Sequence, residues 1–339
     1  MPSSADAAIA DRLEVGRALA GTARADFTHI RRGGNSRVYR MDTPGGRFAL
    51  KLYPDTAGDP RDRLGTEWAA LAFLARHGDR RAPRALAADR ERRVALYEWI
   101  DGRPVEAPLP DDIDAALAFA GTLHRLRRAE GAAALPLASE ACLSLAELAG
   151  QIERRLDRLR EAATRHDDLR DLLDRRVAPA LAPALATVAL DTVGAVPPDA
   201  RTLSPSDFGF HNALRRPGGT LAFLDFEYFG WDDPVKLAAD FVLHPGMRLT
   251  GTDRRRFLAG CDALYGDDRD FARRLKARLM LYGLRWCMIL LNEFLPERWE
   301  RRVRSGQSAD HRGVLTGQIA KVISMLDTVP IIEGMLHGG

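Results

Sequence analysis

The stretch from residue 203 to residue 234 constrains the fold more than any other part of this sequence. Two β-prone runs, 212–214 and 221–224, flank the turn Pro217-Gly218-Gly219. Short strand-forming runs on either side of a Pro/Gly turn are typical of a hairpin. The stretch therefore predicts two antiparallel strands in the middle of the chain.

Oxygen-bearing side chains stand at both ends of this predicted hairpin. Asp207 and Asn212 precede it, and Asp225 follows its second strand. A compact turn would bring the three side chains to one point. Because hard oxygen ligands suit Mg²⁺ that carries phosphates, the pattern predicts a magnesium and phosphate site.

The composition is that of a globular protein with room for two lobes. The chain has 339 residues, of which 46% are hydrophobic and 29% charged, as in ordinary soluble domains. It has no run of about 18 apolar residues, and its start lacks the basic-then-apolar pattern of a secretory signal. We therefore expect a cytoplasmic protein without a membrane partner.

Charge and cysteine content exclude two further classes. Fifty Lys and Arg against 47 Asp and Glu leave a net charge of only +3, and the basic residues are scattered among acids, which is typical of solvated helix faces. We expect no nucleic-acid partner. Three cysteines lie far apart, so we expect reduced, buried thiols and neither a disulfide framework nor a cysteine metal site; they are Cys142, Cys261 and Cys287.

The N-terminal third predicts a small antiparallel sheet. Residues 1–22 favour either an amphipathic helix or a loose leader. Three strand-forming runs follow at 27–31, 37–41 and 48–53, joined by glycine-containing turns. The first turn is a candidate phosphate-binding loop, since glycines let backbone N–H groups approach phosphate oxygens, although a plain hairpin turn is the alternative. Its residues are Gly33, Gly34, Asn35 and Ser36.

One lysine stands out on the third of these runs. Lys51 lies in the apolar segment Ala49-Leu50-Lys51-Leu52, where a charge is costly to bury unless an anion meets it. The alternative is an edge-strand lysine that reaches solvent. A helix is then predicted over 62–77, because apolar residues recur on one face and Gly78 follows its end.

The rest of the chain is predominantly helical. A strand at 94–100 leads into Asp101-Gly102-Arg103-Pro104, and helical periodicity then covers 113–128, 254–265, 271–295 and 314–326. Helical stretches also fill 143–185, with Pro183 and Pro197-Pro198 expected to break the pattern. His124, in the first of these helices, is expected to pack and hydrogen-bond in the core. The sequence thus predicts an α+β protein.

The spacing around the hairpin resembles that of the aminoglycoside phosphotransferase and choline kinase family, whose fold is related to that of protein kinases. Asp207 is followed five positions later by Asn212, and Asp225 opens Asp225-Phe226-Glu227 after the next strand. A further motif of the family, Gly-Trp-x-Asp-Pro followed by an Asp, falls on residues 230–234 and on Asp240. One departure is Pro205, where the family has a His that supports the metal loop, so the geometry of this loop stays open.

The resemblance implies a bilobal, protein-kinase-like fold. Residues 23–101 would form a small antiparallel-sheet N-lobe with one main helix, which binds the nucleotide. Residues 102–339 would form the larger, mostly helical C-lobe with the catalytic loop and acceptor site. Residues 1–22 precede both as a helix or leader.

The resemblance also assigns roles to individual residues. Asp207 would be the catalytic base, with Asn212 and Asp225 as ligands of Mg²⁺. Lys51, paired with Glu67 of the predicted helix, would orient the phosphates of ATP. Backbone groups of the inter-lobe linker would hold adenine; these residues are Glu98, Trp99 and Ile100. Glu227 would either support the metal loop or face the acceptor.

The implied activity is transfer of the γ-phosphate of ATP to a hydroxyl of a small molecule, such as an aminoglycoside, an amino alcohol or a sugar-like acceptor. The alternative is a nucleotide-binding pseudokinase or regulator without turnover, which the proline at 205 and the unusual glycine loop favour. A monomer or a homodimer fits either interpretation. Candidate acceptor-selecting residues are Tyr228, Trp231, Trp286, Asn292, Glu293 and Trp299.

Overall fold

The computed structural model describes residues 4–30, 36–54, 61–190, 194–304 and 310–336. Its internal contacts divide the chain into two units. Unit 1 comprises Met1–Val105, Arg128–Ser139 and Phe210–Gly230, and unit 2 comprises Glu106–Arg127, Glu140–Gly209 and Trp231–Gly339. Unit 1 thus takes in the central hairpin together with the N-terminal sheet. The lobe boundaries expected at 22 and 101 stay predictions.

The strands are short, and most are antiparallel. Within the described residues they are β1 (Asp26–Ile30), β2 (Arg37–Thr43), β3 (Gly46–Leu52), β4 (Ala85–Asp89), β5 (Val94–Glu98), β6 (Arg103–Pro104), β7 (Thr202–Ser204), β8 (Ala213–Arg215), β9 (Leu221–Phe223) and β10 (Gly230–Asp232).

Helices account for most of unit 2. Across the described ranges they are α1 (Ser4–Leu19), α2 (Arg63–Arg76), α3 (Pro110–Leu126), α4 (Leu145–Ala163), α5 (Asp167–Leu172), α6 (Ala178–Ala186), α7 (Pro234–Leu243), α8 (Gly251–Leu264), α9 (Phe271–Leu290), α10 (Pro296–Arg304) and α11 (His311–Met335).

A five-stranded antiparallel sheet forms the body of unit 1. Its strand order is β1-β2-β3-β5-β4, which confirms the predicted meander of the first three strands. Buried side chains from β2, β3 and β5 form its core. Of the two alternatives for the N-terminus, the structure shows the helix, since Ile9, Leu13, Val15 and Leu19 of α1 pack against this core. Burial of this apolar face stabilises α1 far more than helix propensity alone does.

Helix α2 carries its predicted end signals. The Asp62 side chain caps the start by accepting a hydrogen bond from the Gly65 N–H at 2.9 Å, which satisfies one of the free donors of the first turn. Gly78 follows the end with φ +76°. Leu64, Leu71 and Leu74 are buried along one face, so helical periodicity located this element correctly.

The central hairpin is also present. Strands β8 and β9 pair with Ala213 opposite Phe223 and Arg215 opposite Leu221. Gly219 adopts φ +84° in the turn, a backbone conformation that glycine tolerates without strain. Strand β6 pairs with β8 to complete a three-stranded sheet. The hairpin fixes where the residues before β8 and after β9 lie in unit 1.

In unit 2, helix α9 lies against α4, α7 and α11. Gly283 on α9 allows close approach to α11, because a Cβ there would lie 2.4 Å from Val329 Cγ2. The single helix expected over 271–295 instead ends at Leu290 and continues as a 3₁₀ turn, Leu291–Phe294. Pro183 was expected to break the pattern, but it lies inside α6, where the helix accommodates it one turn after its start.

Helix α11 is longer than the predicted 314–326. Asp310 caps it through the Gly313 N–H at 3.0 Å, and buried Val329 and Ile332 extend its packing face beyond residue 326. Among the described residues it is the one helix long and apolar enough to cross a membrane, by length and composition only. A single helix of this kind is a weak indication of a membrane span.

The cysteines follow the prediction. All three are free thiols, and all three are buried. His124 likewise lies in the core of unit 2, where it contacts the Thr202 hydroxyl at 3.3 Å and the edge of the Tyr265 ring. These residues therefore belong to the packing of the unit.

Candidate functional site

A cluster of charges surrounds Lys51 in unit 1. Its Nζ on β3 lies 2.7 Å from Glu67 Oε2 of α2 and 2.7 Å from Asp225 Oδ1. Glu227 Oε2 lies 3.3 Å away. The side chains of Lys51, Glu67 and Glu227 are each less than 8% exposed. Since a buried ammonium group is stable only when it is paired, these carboxylates account for a charge on an otherwise apolar strand.

Glu67 connects the sheet to the segment after β9. Its Oε2 also accepts a hydrogen bond from the Tyr53 hydroxyl at 2.6 Å, and Tyr53 shares a second one with Tyr97. Its Oε1 accepts from the Phe226 N–H at 3.2 Å. The structure therefore brings Lys51 and Glu67 together as expected, and it adds a link from Glu67 to the residues that follow Asp225.

Glu227 is held from three directions. Ser36 Oγ donates to its Oε2 at 2.8 Å, Lys51 lies beside the same oxygen, and Arg63 of α2 pairs with Oε1. Arg63 also donates to the Tyr228 hydroxyl at 2.5 Å, and its guanidinium lies 4.8 Å from the centre of that ring. Glu227 thus supports the segment from inside and does not face solvent.

Two residues of α2 hold the segment 226–228. Arg63 and Glu67 are four positions apart, so they project from the same face of the helix. One binds the Glu227 and Tyr228 side chains, and the other binds the Phe226 backbone. The position of α2 is thereby coupled to the geometry of the residues that follow Asp225.

Electrostatics in this cluster are strongly coupled. Burial disfavours the charge of Lys51, but the surrounding carboxylates outweigh burial and hold its pKa well above the usual value. Burial, with repulsion from Glu227 and Glu67, raises the pKa of Asp225 to about 7 against the attraction of Lys51. The Asp225 side chain is 35% exposed, so water moderates this rise. Glu227 shows the opposite direction: burial works against ionisation, yet Lys51 and Arg63 hold its pKa below the usual value.

The donor set fits a divalent cation. Glu67, Asp225 and Glu227 each offer a carboxylate oxygen, and these oxygens lie within 4.8 Å of one another. Three acidic groups face two cations, Lys51 and Arg63. Oxygen donors are the ligands that Mg²⁺ takes in proteins, usually one or two carboxylates together with substrate phosphates. Asp225 is the most exposed of the three and the one open to such an ion.

Asn212 lies beside the backbone segment that leads to Asp225. The Leu224 N–H donates to the Asn212 carbonyl at 2.8 Å, so the end of β9 is tied to the residue before β8. Asp225 itself has φ +65°, a left-handed conformation that is uncommon for residues with a Cβ and tends to occur at functional sites. The hairpin therefore brings the two predicted metal ligands of unit 1 alongside each other along the backbone.

The linker residues lie at the end of β5. The Glu98 N–H donates to the Arg84 carbonyl at 2.9 Å, and the Glu98 carboxylate accepts from Arg84. Trp99 Nε1 donates to Asp101 at 3.0 Å, and Ile100 is buried. Because the Glu98 N–H is already engaged, any adenine contact through a backbone donor falls to residues 99 and 100.

The predicted phosphate loop is only partly described. Gly33, Gly34 and Asn35 lie outside the described residues. Ser36 is described, and its hydroxyl binds Glu227. A link between this serine and the segment after Asp225 was not expected from the sequence.

Asp207 belongs to unit 2, where it follows β7. Its N–H donates to the Pro205 carbonyl at 2.9 Å, and Ser206 before it has φ +67°. The Asp207 side chain is 36% exposed, and its Oδ1 lies 3.8 Å from His244 Nε2. A partly exposed carboxylate on a tightly turned loop is accessible to a reacting group.

Most acceptor candidates make structural contacts. In unit 2, Trp286 donates to Asp240 at 2.9 Å, Glu293 pairs with Arg302, and Trp299 stacks on His311. In unit 1, Tyr228 binds Arg63. The other two candidates, Trp231 and Asn292, are half-buried.

Sequence analysis missed Arg63 and Tyr53. In a chain with 50 basic residues, a single Arg at a helix start gives little signal. Its spacing of four from Glu67 was the available clue.

Comparison with solved structures supports the kinase-like fold. An ethanolamine kinase from Plasmodium vivax has a TM-score of 0.61 at 13% identity, covering 99% of this chain and 91% of that chain. A macrolide 2′-phosphotransferase from Brachybacterium faecium has 0.58 at 19%, covering 91% and 98%. A spectinomycin phosphotransferase in complex with ADP and spectinomycin has 0.62 at 10%, covering 93% and 92%. These likenesses confirm the predicted α+β, kinase-like fold.

The sequence itself gives the family. The profile of the phosphotransferase enzyme family matches residues 26–275, which include the cluster around Lys51 and the residues on either side of the hairpin. The chain belongs to the phosphotransferase enzyme family. This confirms the expected family and the expected class of enzyme, a small-molecule kinase. The search of curated proteins finds no match.

Proposed function

We propose that this protein is a cytoplasmic kinase that transfers the γ-phosphate of ATP, with Mg²⁺, to a hydroxyl of a small molecule. The observation that carries the proposal is the buried Lys51–Glu67 pair beside Asp225, in a chain of the phosphotransferase family. An ammonium group held by a helix carboxylate next to a metal-binding carboxylate is the arrangement that kinase-like enzymes use to hold nucleotide phosphates.

Lys51 is the proposed phosphate ligand. Glu67 restrains the ammonium group from one side, and Asp225 is the partner that a nucleotide would displace, since its side chain is the more exposed of the two. ADP is bound to the spectinomycin phosphotransferase of similar fold, which supports a nucleotide here. Backbone N–H groups of the predicted phosphate loop would contribute further donors.

Asp225 and Asn212 are the proposed holders of the metal, with Glu227 supporting the segment from behind. A Mg²⁺ ion held by these two residues would supply positive charge that offsets the charge developing on the leaving group. The Phe226 N–H and the Glu227 carboxylate, held by Glu67 and Arg63, fix where the Asp225 carboxylate is presented.

Asp207 is the proposed base. Its carboxylate would accept or orient the proton of the acceptor hydroxyl, a role that typically contributes about 10²–10⁴-fold to the rate. The γ-phosphoryl group would leave ATP for the acceptor oxygen, and ADP and the phosphate ester would be released. The exposure of the Asp207 side chain is compatible with this contact.

The acceptor is proposed only as a class. Structures of similar fold are named for ethanolamine, macrolide and spectinomycin substrates, all of them small molecules that carry hydroxyl groups. We propose an amino alcohol, an aminoglycoside or a sugar-like alcohol.

The test is Mg²⁺-dependent ADP release from ATP in the presence of choline, ethanolamine, spectinomycin, kanamycin or glucose. We expect one class of acceptor to stimulate release, and Asp207→Asn to abolish the stimulation while ATP binding by calorimetry changes little. ATP binding without turnover on a broad panel would favour the pseudokinase alternative. Absence of ATP binding would contradict the proposal.

A further inference from the structure

A stripe of polar residues on α7 faces the loop that carries Asp207. Lys236, Asp240 and His244 are spaced by four, so they lie along one face of the helix and its C-terminal cap. All residues of α7, including Lys236 and Asp240, are buried. A polar stripe on a buried helix is costly unless its members have partners, and those partners lead to the loop at 204–207.

Lys236 makes the first connection. The Lys236 side chain is 1% exposed, and its Nζ lies 3.1 Å from Asp232 Oδ2 and 3.2 Å from Asp240 Oδ2. It also donates to Ser206 Oγ at 2.9 Å. Ser206 is the residue before Asp207 and has φ +67°. The ammonium group thus fixes a left-handed residue directly beside the proposed base.

His244 makes the second connection. Its Nδ1 accepts a hydrogen bond from the Gly246 N–H at 3.0 Å, which places the proton of a neutral imidazole on Nε2. Nε2 lies 3.8 Å from Asp207 Oδ1. This separation is longer than a hydrogen bond, and catalytic contacts of this kind shorten when substrate binds.

The two connections are joined by a third. The His244 ring stands edge-on to Trp286, with centroids 4.7 Å apart, and Trp286 Nε1 donates to Asp240 Oδ1 at 2.9 Å. Asp240 in turn pairs with Lys236. A closed set of contacts therefore runs from Ser206 through Lys236, Asp240 and Trp286 to His244 and back to Asp207.

We propose that Lys236 and His244 are positioning residues for Asp207: Lys236 fixes the loop through Ser206, and the His244 imidazole orients the carboxylate. The inference rests on the proposed function, since it gives Asp207 the role of base. Both residues act through Asp207.

The first test does not depend on turnover. Hydrogen exchange of the backbone amides at 203–209 is compared in the wild type, Ser206→Ala and His244→Gln. We expect exchange to be about tenfold faster in Ser206→Ala, which removes one charge-assisted hydrogen bond and leaves Lys236 paired with Asp232 and Asp240. Unchanged exchange in Ser206→Ala would overturn the role of Lys236, whether or not the protein proves to be a kinase.

The second test uses ADP release with Mg-ATP and the best acceptor among choline, ethanolamine and spectinomycin. We expect His244→Gln to lower kcat at least about tenfold with an unchanged KM for ATP and an unchanged Tm. A kcat equal to the wild type would overturn the inference for His244.

A matched control separates positioning from packing. His166 also stands edge-on to an aromatic ring, with its centroid 5.2 Å from that of Phe294. His166→Gln should leave kcat unchanged. If it lowers kcat as much as His244→Gln does, the effect is general packing and the inference fails. If the wild type turns over and Asp207→Asn does not, while His244→Gln behaves as the wild type, the inference fails and the proposed function stands.

Discussion

Replacement of Asp233 gives the sharpest prediction for the stability of unit 2. This carboxylate is fully buried. It accepts from Arg274 at 3.0 Å and from Arg278 at 2.7 Å, and it caps α7 through the Val235 N–H at 3.0 Å. One carboxylate therefore pairs with two buried guanidinium groups and also caps the helix that carries Lys236.

The size of the effect follows from these contacts. Asp233→Asn keeps the shape and the capping oxygen but removes the charge, which leaves Arg278 without its carboxylate while Arg274 keeps Asp268 at 2.6 Å. Removal of one partner from a buried pair costs about 3–5 kcal/mol. For a unit of about 200 residues, this corresponds to a fall in Tm of about 10 °C.

The assay is thermal unfolding by circular dichroism, with a graded pair of variants. Asp233→Ala also removes the cap, so its free energy of unfolding should be about 1 kcal/mol below that of Asp233→Asn, and its Tm about 3 °C lower. A Tm for Asp233→Asn within 2 °C of the wild type would refute the reasoning, since it would mean that the arginines do not depend on this charge.

Three further predictions concern unit 1 and the thiols. Lys51→Met should weaken ATP binding by about tenfold or more, because it removes a charge-assisted contact to phosphate; calorimetry with an unchanged Kd would contradict this. Arg63→Met should lower stability by about 3 kcal/mol, because Glu227 is left buried with one partner fewer; an unchanged denaturation midpoint would count against the coupling of α2 to this segment. Ellman's reagent should modify less than about a tenth of a thiol per native molecule within minutes, because the cysteines are buried and burial raises the pKa of Cys142 and of Cys287 to about 12. In guanidinium chloride, which unfolds the protein, it should modify all three thiols. A fast-reacting thiol in the native protein would contradict this prediction, because it would show that one cysteine is accessible.

Local patterns in the sequence were sufficient for much of the fold. The hairpin was predictable because its turn residues and strand formers are adjacent in the chain, and α2 because its cap, its apolar face and its terminal glycine are all local. Helix α11 was predicted too short, because the packing of Val329 and Ile332 against distant residues carries it beyond residue 326. The end of α9 at Leu290 was not predictable either, since no local signal separates its last turn from the 3₁₀ turn that follows.

The site was predictable where residue order carries information. From their order along the chain and the resemblance to a family, Lys51 was paired with Glu67 and Asp225 was assigned to the metal; the structure brings the three together in unit 1. The contacts of Arg63 and Ser36 with Glu227 link positions more than 160 residues apart. Contacts of that range leave no periodic or local signature in one sequence.

The measurement that tests the central claim most directly is the fate of the γ-phosphate. The protein is incubated with Mg²⁺, γ-³²P-labelled ATP and the acceptor that best stimulates ADP release, and the products are separated. We expect the label in an acid-stable ester of the acceptor for the wild type, and no labelled ester for Asp207→Asn. Label that appears only as inorganic phosphate, or an ester formed equally well by Asp207→Asn, would contradict the account.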